Sequence, residues 1–381
     1  MLKQELEHLY SLKKFDFKGK PSLKQIEKAL EKLGNFHKKL RVIHITGTNG
    51  KGSTAAMTTE ILKQAGYKTG LFTSPHLIRY NERIQINRKE ITDEELLEYI
   101  NKVRSLDVEL SFFEFTTTLA LKYFFDKNVD FIVLEVGLGG TYDATNICDA
   151  EIAAITDISP DHTNVLGKTI KEIAEDKCGI IKERSTVITD KNNKALDVIK
   201  EKSKNNKLVI AEEYEGTIRL KGEFQRRNAG IAYSIGKELG VQEEIIKQAI
   251  EKTEWPGRLE YLEKKVLVDC AHNPAAIEEI TRFVKSLDYE RLIIIFGVLK
   301  RKDFRKMIKK LPKPDFLILT RPNIDKALDP AELAHEGRCA VVESPKAALS
   351  FAKAIAKEKD LILITGSCYL VGNVKAIYPK K

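Results

Sequence analysis

Long hydrophobic runs are missing from this sequence of 381 residues. No stretch approaches the ~18 consecutive apolar residues of a membrane-spanning helix, so we expect no membrane partner. The first residues, MLKQELEHLYSLKK, are charged and amphipathic, and they lack the apolar stretch and cleavage site of a signal peptide. These absences predict a cytoplasmic protein.

Cysteine is also scarce. The few cysteines are scattered, odd in number and without close pairs, which argues against a disulfide framework and against a zinc site. We therefore expect reduced thiols. The five residues are Cys148, Cys178, Cys270, Cys339 and Cys368.

Neither sign of charge forms a long run. The chain has 64 Lys+Arg and 55 Asp+Glu, a net charge of +9. Lysines alternate with glutamates in helical patterns such as LKQIEKALEKL, which is typical of solvated helix faces. We therefore expect anionic small-molecule substrates and no nucleic-acid partner. We also expect a monomer. An ATPase that binds nucleic acid through the excess positive charge is the alternative.

The sequence does contain a stretch suited to holding phosphate, VIHITGTNGKGST at 42–54. A short apolar run ends in a loop with three glycines, and a helical pattern follows at once. The glycines let the backbone approach an anion closely, and the helix start adds N–H groups and the positive end of its dipole. Lys51 supplies a cation for the terminal phosphates, and Ser53 or Thr54 supplies a hydroxyl for Mg²⁺.

The loop departs from the usual phosphate-loop spacing of Gly, four residues and Gly-Lys-Ser/Thr. Gly47 lies only three residues before Gly50, and Gly52 separates Lys51 from Ser53. The alternative is an ordinary glycine-rich turn after a strand. The order of strand, loop and helix start favours a phosphate site.

Other polar residues follow predicted strands. FIVLEV at 131–136 is typical of a buried parallel strand and places Glu135 near its carboxyl end, where ligands gather in open α/β sheets. Because a buried carboxylate is costly unless it is paired or metal-bound, Glu135 is a candidate Mg²⁺ ligand, with a structural salt bridge as the alternative. His162 follows the strand EIAAIT (151–156) in the same way. Lys177, within a later helical pattern, is predicted to be a surface residue.

Two capping boxes, Thr92–Glu95 and Ser111–Glu114, predict helices over about 92–105 and 111–127. The polar stretch SPHLIRYNERIQINRKE before them is too long for a simple connection. We interpret it as a loop that closes over a substrate or as a solvated surface excursion.

The alternation of strands and helices predicts an α/β protein of two domains, at roughly 150 residues per domain. WPGRLE holds the only tryptophan, and we place a linker at 255–258 within it, between domains at 1–254 and 259–381. In the second domain, three stretches follow predicted strands and carry polar groups. They are DCAHNP (269–274), FGVLKRKD (296–303) and ITGSCYLVGN (364–373).

Eight motifs, in order, resemble those of the dihydrofolate synthase/folylpolyglutamate synthase family of the Mur-ligase superfamily. The resemblance covers nearly the whole chain. It implies a P-loop ATP-binding parallel-sheet domain of Mur-ligase type, a smaller Rossmann-like α/β domain, and an active site in the cleft between them. The motifs are TGTNGKGS, SPHL…ERI, LEVGLGGTYDATN, DHTNVLG, KCGIIK, GRLE, DCAHNP and TGSCYLVG.

The same resemblance implies roles for single residues. One Mg²⁺ would be held by Ser53 and Glu135, and a second would involve His162 and Lys177. The lysine matching Lys177 is commonly carbamylated by CO₂ in the superfamily, which would turn this cation into an anion near the metal. The residues matching ATP ligands are Asn49, Gly50, Lys51, Gly52, Ser53, Asn228, Arg258 and Asp269.

For the acceptor acid, the matching residues are Arg83, Ser111, Phe113, Asp143 and Ala144. The aromatic face among them would stack on a pterin. The residues that we interpret as catalytic are Lys51, Glu135, His162, Lys177 and His272, the last near the γ-phosphate and the reacting acyl group.

The implied reaction is the ATP-dependent addition of L-glutamate to dihydropteroate, to (tetrahydro)folate polyglutamate tails, or to both. The acceptor carboxylate would attack the γ-phosphate to give an acyl phosphate and ADP, and the amino group of glutamate would then displace phosphate. The alternatives are another Mur-type ligase with a different carboxylate acceptor and a non-catalytic nucleotide-binding regulator.

Overall fold

The chain folds into two compact units in a computed structural model that describes residues 2–13, 22–334 and 339–378. The change of unit at residue 254 lies beside the predicted linker. The linker segment 255–258 itself belongs to the second unit, together with two short segments from the first 254 residues. The first unit comprises Met1–Ser74, Tyr80–Arg219 and Arg226–Thr253, and the second comprises Pro75–Arg79, Leu220–Gln225 and Glu254–Lys381.

A mostly parallel sheet forms the centre of the first unit. Its strands are β1 (Val42–Thr46), β2 (Thr69–Phe72), β3 (Ile84–Ile86), β4 (Lys89–Glu90), β5 (Phe131–Glu135), β6 (Ile152–Ile155), β7 (Thr186–Asp190) and β8 (Leu208–Ala211). The order across the sheet is β4-β3-β2-β5-β1-β6-β7-β8, with β3 and β4 antiparallel to their neighbours. The runs VIHIT, FIVLE and IAAI are buried throughout, as in strands covered on both faces.

Helices pack around this sheet. In the described residues they are α1 (Leu2–Ser11), α2 (Lys24–Lys32), α3 (Lys51–Gln64), α4 (Asp93–Arg104), α5 (Phe112–Asp126), α6 (Thr163–Leu166), α7 (Ile170–Lys177), α8 (Leu196–Lys202), α9 (Phe224–Glu238) and α10 (Glu243–Lys252).

The two predicted capping boxes are confirmed. The Thr92 side chain accepts from the backbone N–H of Glu95 at the start of α4, and Ser111 accepts from Glu114 at the start of α5. In both, the glutamate side chain accepts in return from the cap residue's N–H, so two donors of the first helical turn are satisfied.

The second unit has its own sheet. Its strands are β9 (Glu260–Glu263), β10 (Val266–Val268), β11 (Leu292–Phe296), β12 (Phe316–Leu319), β13 (Ala340–Val341) and β14 (Leu361–Thr365). Their order is β13-β12-β11-β14-β10-β9, and only β9 runs antiparallel within the described sheet. The helices are α11 (Pro274–Lys285), α12 (Phe304–Lys310), α13 (Pro330–Leu333), α14 (Pro345–Ile355) and α15 (Cys368–Lys375).

Two sequence interpretations are wrong at the level of local structure. The stretch 364–373 is not a strand-end loop, because α15 begins at Cys368, capped by Ser367, and buries Val371 and Val374 against the sheet. The polar stretch after β2 is not one loop, because β3 and β4 form a hairpin that extends the sheet. In both cases sheet packing organises a segment whose own pattern is weak.

No helix in the described part of the chain is long and apolar enough to cross a membrane. All five cysteines carry free thiols.

The strand order of the first unit brings three loops together. β1 lies between β5 and β6 and is parallel to both, so the carboxyl ends of the three strands meet at one edge. The predicted phosphate loop, Glu135 and the segment leading to His162 all follow these ends. This is the edge at which open α/β sheets bind ligands.

Candidate functional site

The predicted phosphate loop has the expected local form. β1 ends at Thr46, Gly50 caps α3 with φ 90°, and Lys51 begins that helix. A methyl group built on Gly50 would lie 2.2 Å from Oδ1 of Asn228, which is buried. Only glycine therefore fits this turn, and Asn228 of α9 lies directly against the loop.

The segment that follows β6 braces the phosphate loop. Thr48 donates its N–H to the Asp157 carbonyl at 2.6 Å and its hydroxyl to the Ser159 carbonyl at 2.9 Å. The Thr156 hydroxyl donates to the Asn49 carbonyl at 2.7 Å. These bonds hold the loop in one conformation before any anion arrives. Sequence reasoning missed this bracing, because it depends on β1 and β6 being neighbours in the sheet.

Two lysines converge on one carbonyl oxygen of the loop. Lys51 Nζ donates to the Gly47 carbonyl at 2.9 Å, and Lys177 Nζ donates to the same oxygen at 2.8 Å. Lys177 is only 4% exposed, so the prediction of a surface residue is wrong. Burial, together with the charge of Lys51, lowers the pKa of Lys177 to about 7.

Glu135 lies at the end of β5, opposite Ile45 of β1, and is 5% exposed. Its Oε2 accepts from the Ser74 backbone N–H at 2.9 Å. Ser53, in the first turn of α3, is also buried. A hydroxyl and a carboxylate near a phosphate loop are the donor types that Mg²⁺ takes from a protein when nucleotide phosphates supply further oxygens.

Within residues 2–13, 22–334 and 339–378, no group of three or more His, Cys, Asp or Glu side chains could hold a metal ion by itself.

His162 lies where the loop after β6 ends. Its backbone is left-handed, with φ 50°, and it caps the short helix α6. The imidazole is exposed, with Nε2 3.9 Å from Asp161 Oδ1. The structure therefore places His162 on the loop-bearing edge but not inside the packed phosphate loop.

The residues predicted for the acceptor acid lie on α5 and on the loop after β5. Ser111 caps α5, and a methyl group built on Gly137 would lie 2.5 Å from Cζ of Phe113. The Phe113 ring thus covers the start of this loop. Asp143 and Ala144, farther along it, are both 5% exposed.

Arg83 is the other residue predicted for this acid, and it is 6% exposed. Its guanidinium carbon lies 5.4 Å from the ring centroid of Phe112 and 5.8 Å from that of Tyr80. Such distances allow cation–π attraction, so aromatic side chains stabilise a charged group that would otherwise be costly to bury.

In the second unit, Asp269 organises the turn that contains Arg258. Its carboxylate accepts from the N–H groups of Leu259 at 2.9 Å and Ala271 at 2.8 Å. Burial raises the pKa of Asp269, and the charge of Arg258 opposes that shift. Leu259 has φ 42°, a strained conformation for a branched side chain, and its bond to Asp269 holds it there.

His272 follows Asp269 on the same loop. Its Nδ1 lies 3.0 Å from the Cys270 carbonyl, and the Cys368 thiol donates to that carbonyl at 3.8 Å. The ring is therefore oriented by backbone at the carboxyl end of β10. The two ring nitrogens are thereby distinguished, which a proton-transfer or phosphate-binding role requires.

Comparison with known proteins agrees with this arrangement. Residues 45–237 match the family described as Mur ligase middle domain, and residues 257–368 match the Mur ligase glutamate ligase domain. Fold and phosphate loop thus define an ATP-dependent ligase of the Mur type.

One curated relative is the dihydrofolate synthase/folylpolyglutamate synthase of Bacillus subtilis, which is 31% identical over 94% of this chain and 95% of its own length. The chain belongs to the dihydrofolate synthase/folylpolyglutamate synthase family. Another relative is a probable bifunctional folylpolyglutamate synthase/dihydropteroate synthase of Haloferax volcanii, 31% identical over 98% of this chain. This chain spans only 50% of the length of that protein.

Solved structures share the fold. The folylpolyglutamate synthase of Mycobacterium tuberculosis in complex with ADP superposes with a TM-score of 0.91 at 26% identity, over 100% of this chain and 98% of that chain. A bifunctional synthase from Yersinia pestis, complexed with AMPPNP and a Mn ion, has a TM-score of 0.90 at 25% identity over 99% of this chain and 97% of that chain.

Proposed function

We propose that this protein joins L-glutamate to dihydropteroate, to (tetrahydro)folate polyglutamate tails, or to both, and converts ATP to ADP and phosphate through an acyl phosphate. The observation that carries the proposal is the phosphate loop on which Lys51 and the buried Lys177 share the Gly47 carbonyl. The family to which the protein belongs and the names of its relatives support the choice of substrates.

The first chemical step brings an acceptor carboxylate to a triphosphate, so its main obstacle is repulsion between anions. Lys51 and the N–H groups at the start of α3 supply positive charge at the loop. The bonds from the segment after β6 keep these donors in place, so little reorganisation is needed as charge moves.

A divalent ion, Mg²⁺, would bind with the nucleotide and neutralise phosphate charge. Ser53 and Glu135 would hold it, and the Mn-containing structure of the Yersinia pestis relative supports a divalent metal in this family. We assign a second metal site to His162 and Lys177. A carbamate on Lys177 would make that side chain a metal ligand, and a buried amine with pKa about 7 is neutral enough near physiological pH to react with CO₂.

For the acceptor acid, we propose a pocket formed by α5 and the loop after β5. Phe113 would offer a ring face, with Ser111, Asp143 and Ala144 beside it and Arg83 as the cation for a carboxylate.

For the second unit, we propose that Arg258 and Asp269 contribute to ATP binding and that His272 acts at the γ-phosphate. Asn228 of the first unit, which already lies against Gly50, would contact the nucleotide from α9. We further propose a cytoplasmic location, in keeping with the five free thiols. We also propose a monomer without nucleic-acid or membrane partners.

One assay tests the function directly. ADP release is measured with ATP, Mg²⁺ and L-glutamate in the presence of dihydropteroate, tetrahydrofolate, a different carboxylic acid or no acceptor. Glutamate-dependent release with either acid supports the proposal. Release only with another carboxylate acceptor identifies a different Mur-type ligase, and nucleotide binding without release identifies a regulator.

Glu135→Gln tests the metal site. We expect kcat to fall by about a hundredfold or more, because a neutral amide is a poor ligand for Mg²⁺, while the fold is kept. Glu151→Gln is the matched control, since Glu151 lies on the surface in an ion pair with Arg41. Wild-type turnover in Glu135→Gln would remove the metal role.

A further inference from the structure

A line of polar side chains crosses the core of the first unit. The His44 Nε2 lies 2.7 Å from Oγ1 of Thr145, which lies 2.5 Å from Oδ1 of Asp143. His44 and Thr145 are completely buried, and Asp143 is 5% exposed. His44 interrupts the apolar run of β1, so its sequence position carried the same signal as Glu135 does in β5, a polar residue inside a buried strand.

The hydrogen bonds along this line have a fixed direction. Asp143 has donors as partners, because Oδ1 accepts from both the N–H and the hydroxyl of Thr145 and Oδ2 accepts from the N–H of Leu138. Burial raises the pKa of Asp143, and the hydrogen bonds from Thr145 and Leu138 oppose that shift. Because each of these partners donates, the Asp143 carboxyl oxygens act as acceptors in this line. Since the Thr145 hydroxyl donates to Asp143, its oxygen accepts from His44, which must carry its proton on Nε2.

The state of His44 agrees with this direction. Burial lowers the pKa of His44 to about 3, so the ring is neutral with one N–H. Its Nδ1 is buried and has no hydrogen-bond partner among the described residues. With the proton on Nε2, the unpaired Nδ1 is only an acceptor, so no buried N–H donor of the ring is left without a partner.

Asp143 in turn closes the loop after β5. Its two oxygens bond backbone N–H groups at Leu138 and Thr145, on either side of the loop. The Phe113 ring covers the start of this loop at Gly137. The Asp143 carboxylate thus joins the two ends of the loop. Thr145 bonds that carboxylate, and His44 of β1 bonds Thr145.

We propose that His44 and Thr145 are positioning residues for the acceptor acid. They fix the Asp143 carboxylate and, through it, the loop that forms one wall of the pocket for a pteroate-type acid. The inference rests on the proposed function, because it presumes that this loop meets the acceptor. It assigns the two residues an effect on acceptor binding and none on ATP binding.

The test compares the isosteric substitution Thr145→Val with the same substitution at a control position, Thr117→Val. Thr145→Val removes the hydroxyl and leaves Asp143 short of one donor, so we expect the KM for dihydropteroate or tetrahydrofolate to rise about tenfold. The KM for ATP and the kcat should stay within about twofold of the wild-type values. Thr145→Ser keeps the hydroxyl, so its acceptor KM should be close to that of the wild type. Thr117→Val is the control, because Thr117 is equally buried and its hydroxyl has no hydrogen-bond partner in the described part of the chain.

His44→Leu provides a second measurement if Thr145→Val fails to fold. It removes the N–H that the Thr145 oxygen accepts, so we expect a smaller rise of the acceptor KM, about threefold, again with ATP unaffected. An acceptor KM at the wild-type value, or equal rises for acceptor and ATP, would overturn the inference. A wild-type enzyme inactive with both acids would instead overturn the proposed function.

Discussion

Lys51→Ala is expected to lower kcat for glutamate-dependent ADP release by about a thousandfold or more. Lys51 Nζ donates hydrogen bonds to the Gly47 and Thr48 carbonyls at 2.9 and 3.2 Å. A change of side-chain rotamer would take it from these oxygens to a bound triphosphate. Without it, negative charge that moves onto the transferred phosphoryl group meets no fixed cation from the loop. Initial rates at saturating ATP and acceptor measure the effect.

The matched control for this variant is Lys63→Ala. Lys63 lies in the same helix and pairs with Glu60 on its outer face. Its loss should leave the rate unchanged. If Lys51→Ala kept even a tenth of wild-type kcat, the glycine-rich segment would be an ordinary turn rather than a phosphate site.

Lys177→Met is expected to abolish turnover while making the folded protein more stable below neutral pH. The wild-type ammonium is buried beside Lys51, and its removal takes away a charge that burial disfavours. The Gly47 carbonyl keeps its bond to Lys51, so no acceptor is orphaned. Thermal melting and the ADP-release assay on the same preparations measure both effects.

The stability difference should depend on pH in a defined direction. The folded pKa of Lys177 is about 7 and the model value is 10.5, so the unfolded chain binds more protons between these values. Wild-type stability therefore rises with pH across this window. The stability advantage of Lys177→Met should be largest below pH ~7 and should shrink steadily as the pH rises from about 7 towards 10.5.

Two results would contradict the role of Lys177. Wild-type activity in Lys177→Met would exclude a carbamate at this position. A loss of activity in Lys171→Ala, an exposed lysine of the same helix, would show that the assay reports on α7 in general. Rescue of Lys177→Ala by short carboxylic acids would support a carbamate, because such acids restore an anion to the vacated site.

Much of the site could be predicted from local pattern. The apolar run before the phosphate loop, the glycines and lysine of the loop and the helix start after it all lie within the segment 42–54. Glu135 became a candidate because a carboxylate inside an apolar run is costly to bury unless it is paired or bound to a metal, and the structure does bury it at the end of β5. The capping boxes at Thr92 and Ser111 were equally local and are confirmed.

The errors share a different property. The helix α15 and the hairpin of β3 and β4 have weak patterns of their own, and they form because a sheet offers them a surface to cover. His44 carried the same signal as Glu135, but its partners Thr145 and Asp143 lie about a hundred residues away.

The sequence by itself determined the fold class, the nucleotide loop and the family, because these depend on residues close together in the chain or on motifs in order. Only the tertiary structure decided that Lys177 is buried on the Gly47 carbonyl, 130 residues away. It also decided that His44 of β1 lies against Thr145, which bonds Asp143 in the loop after β5. Strand order brings such residues together, and burial then shifts their charge states, which no local pattern encodes.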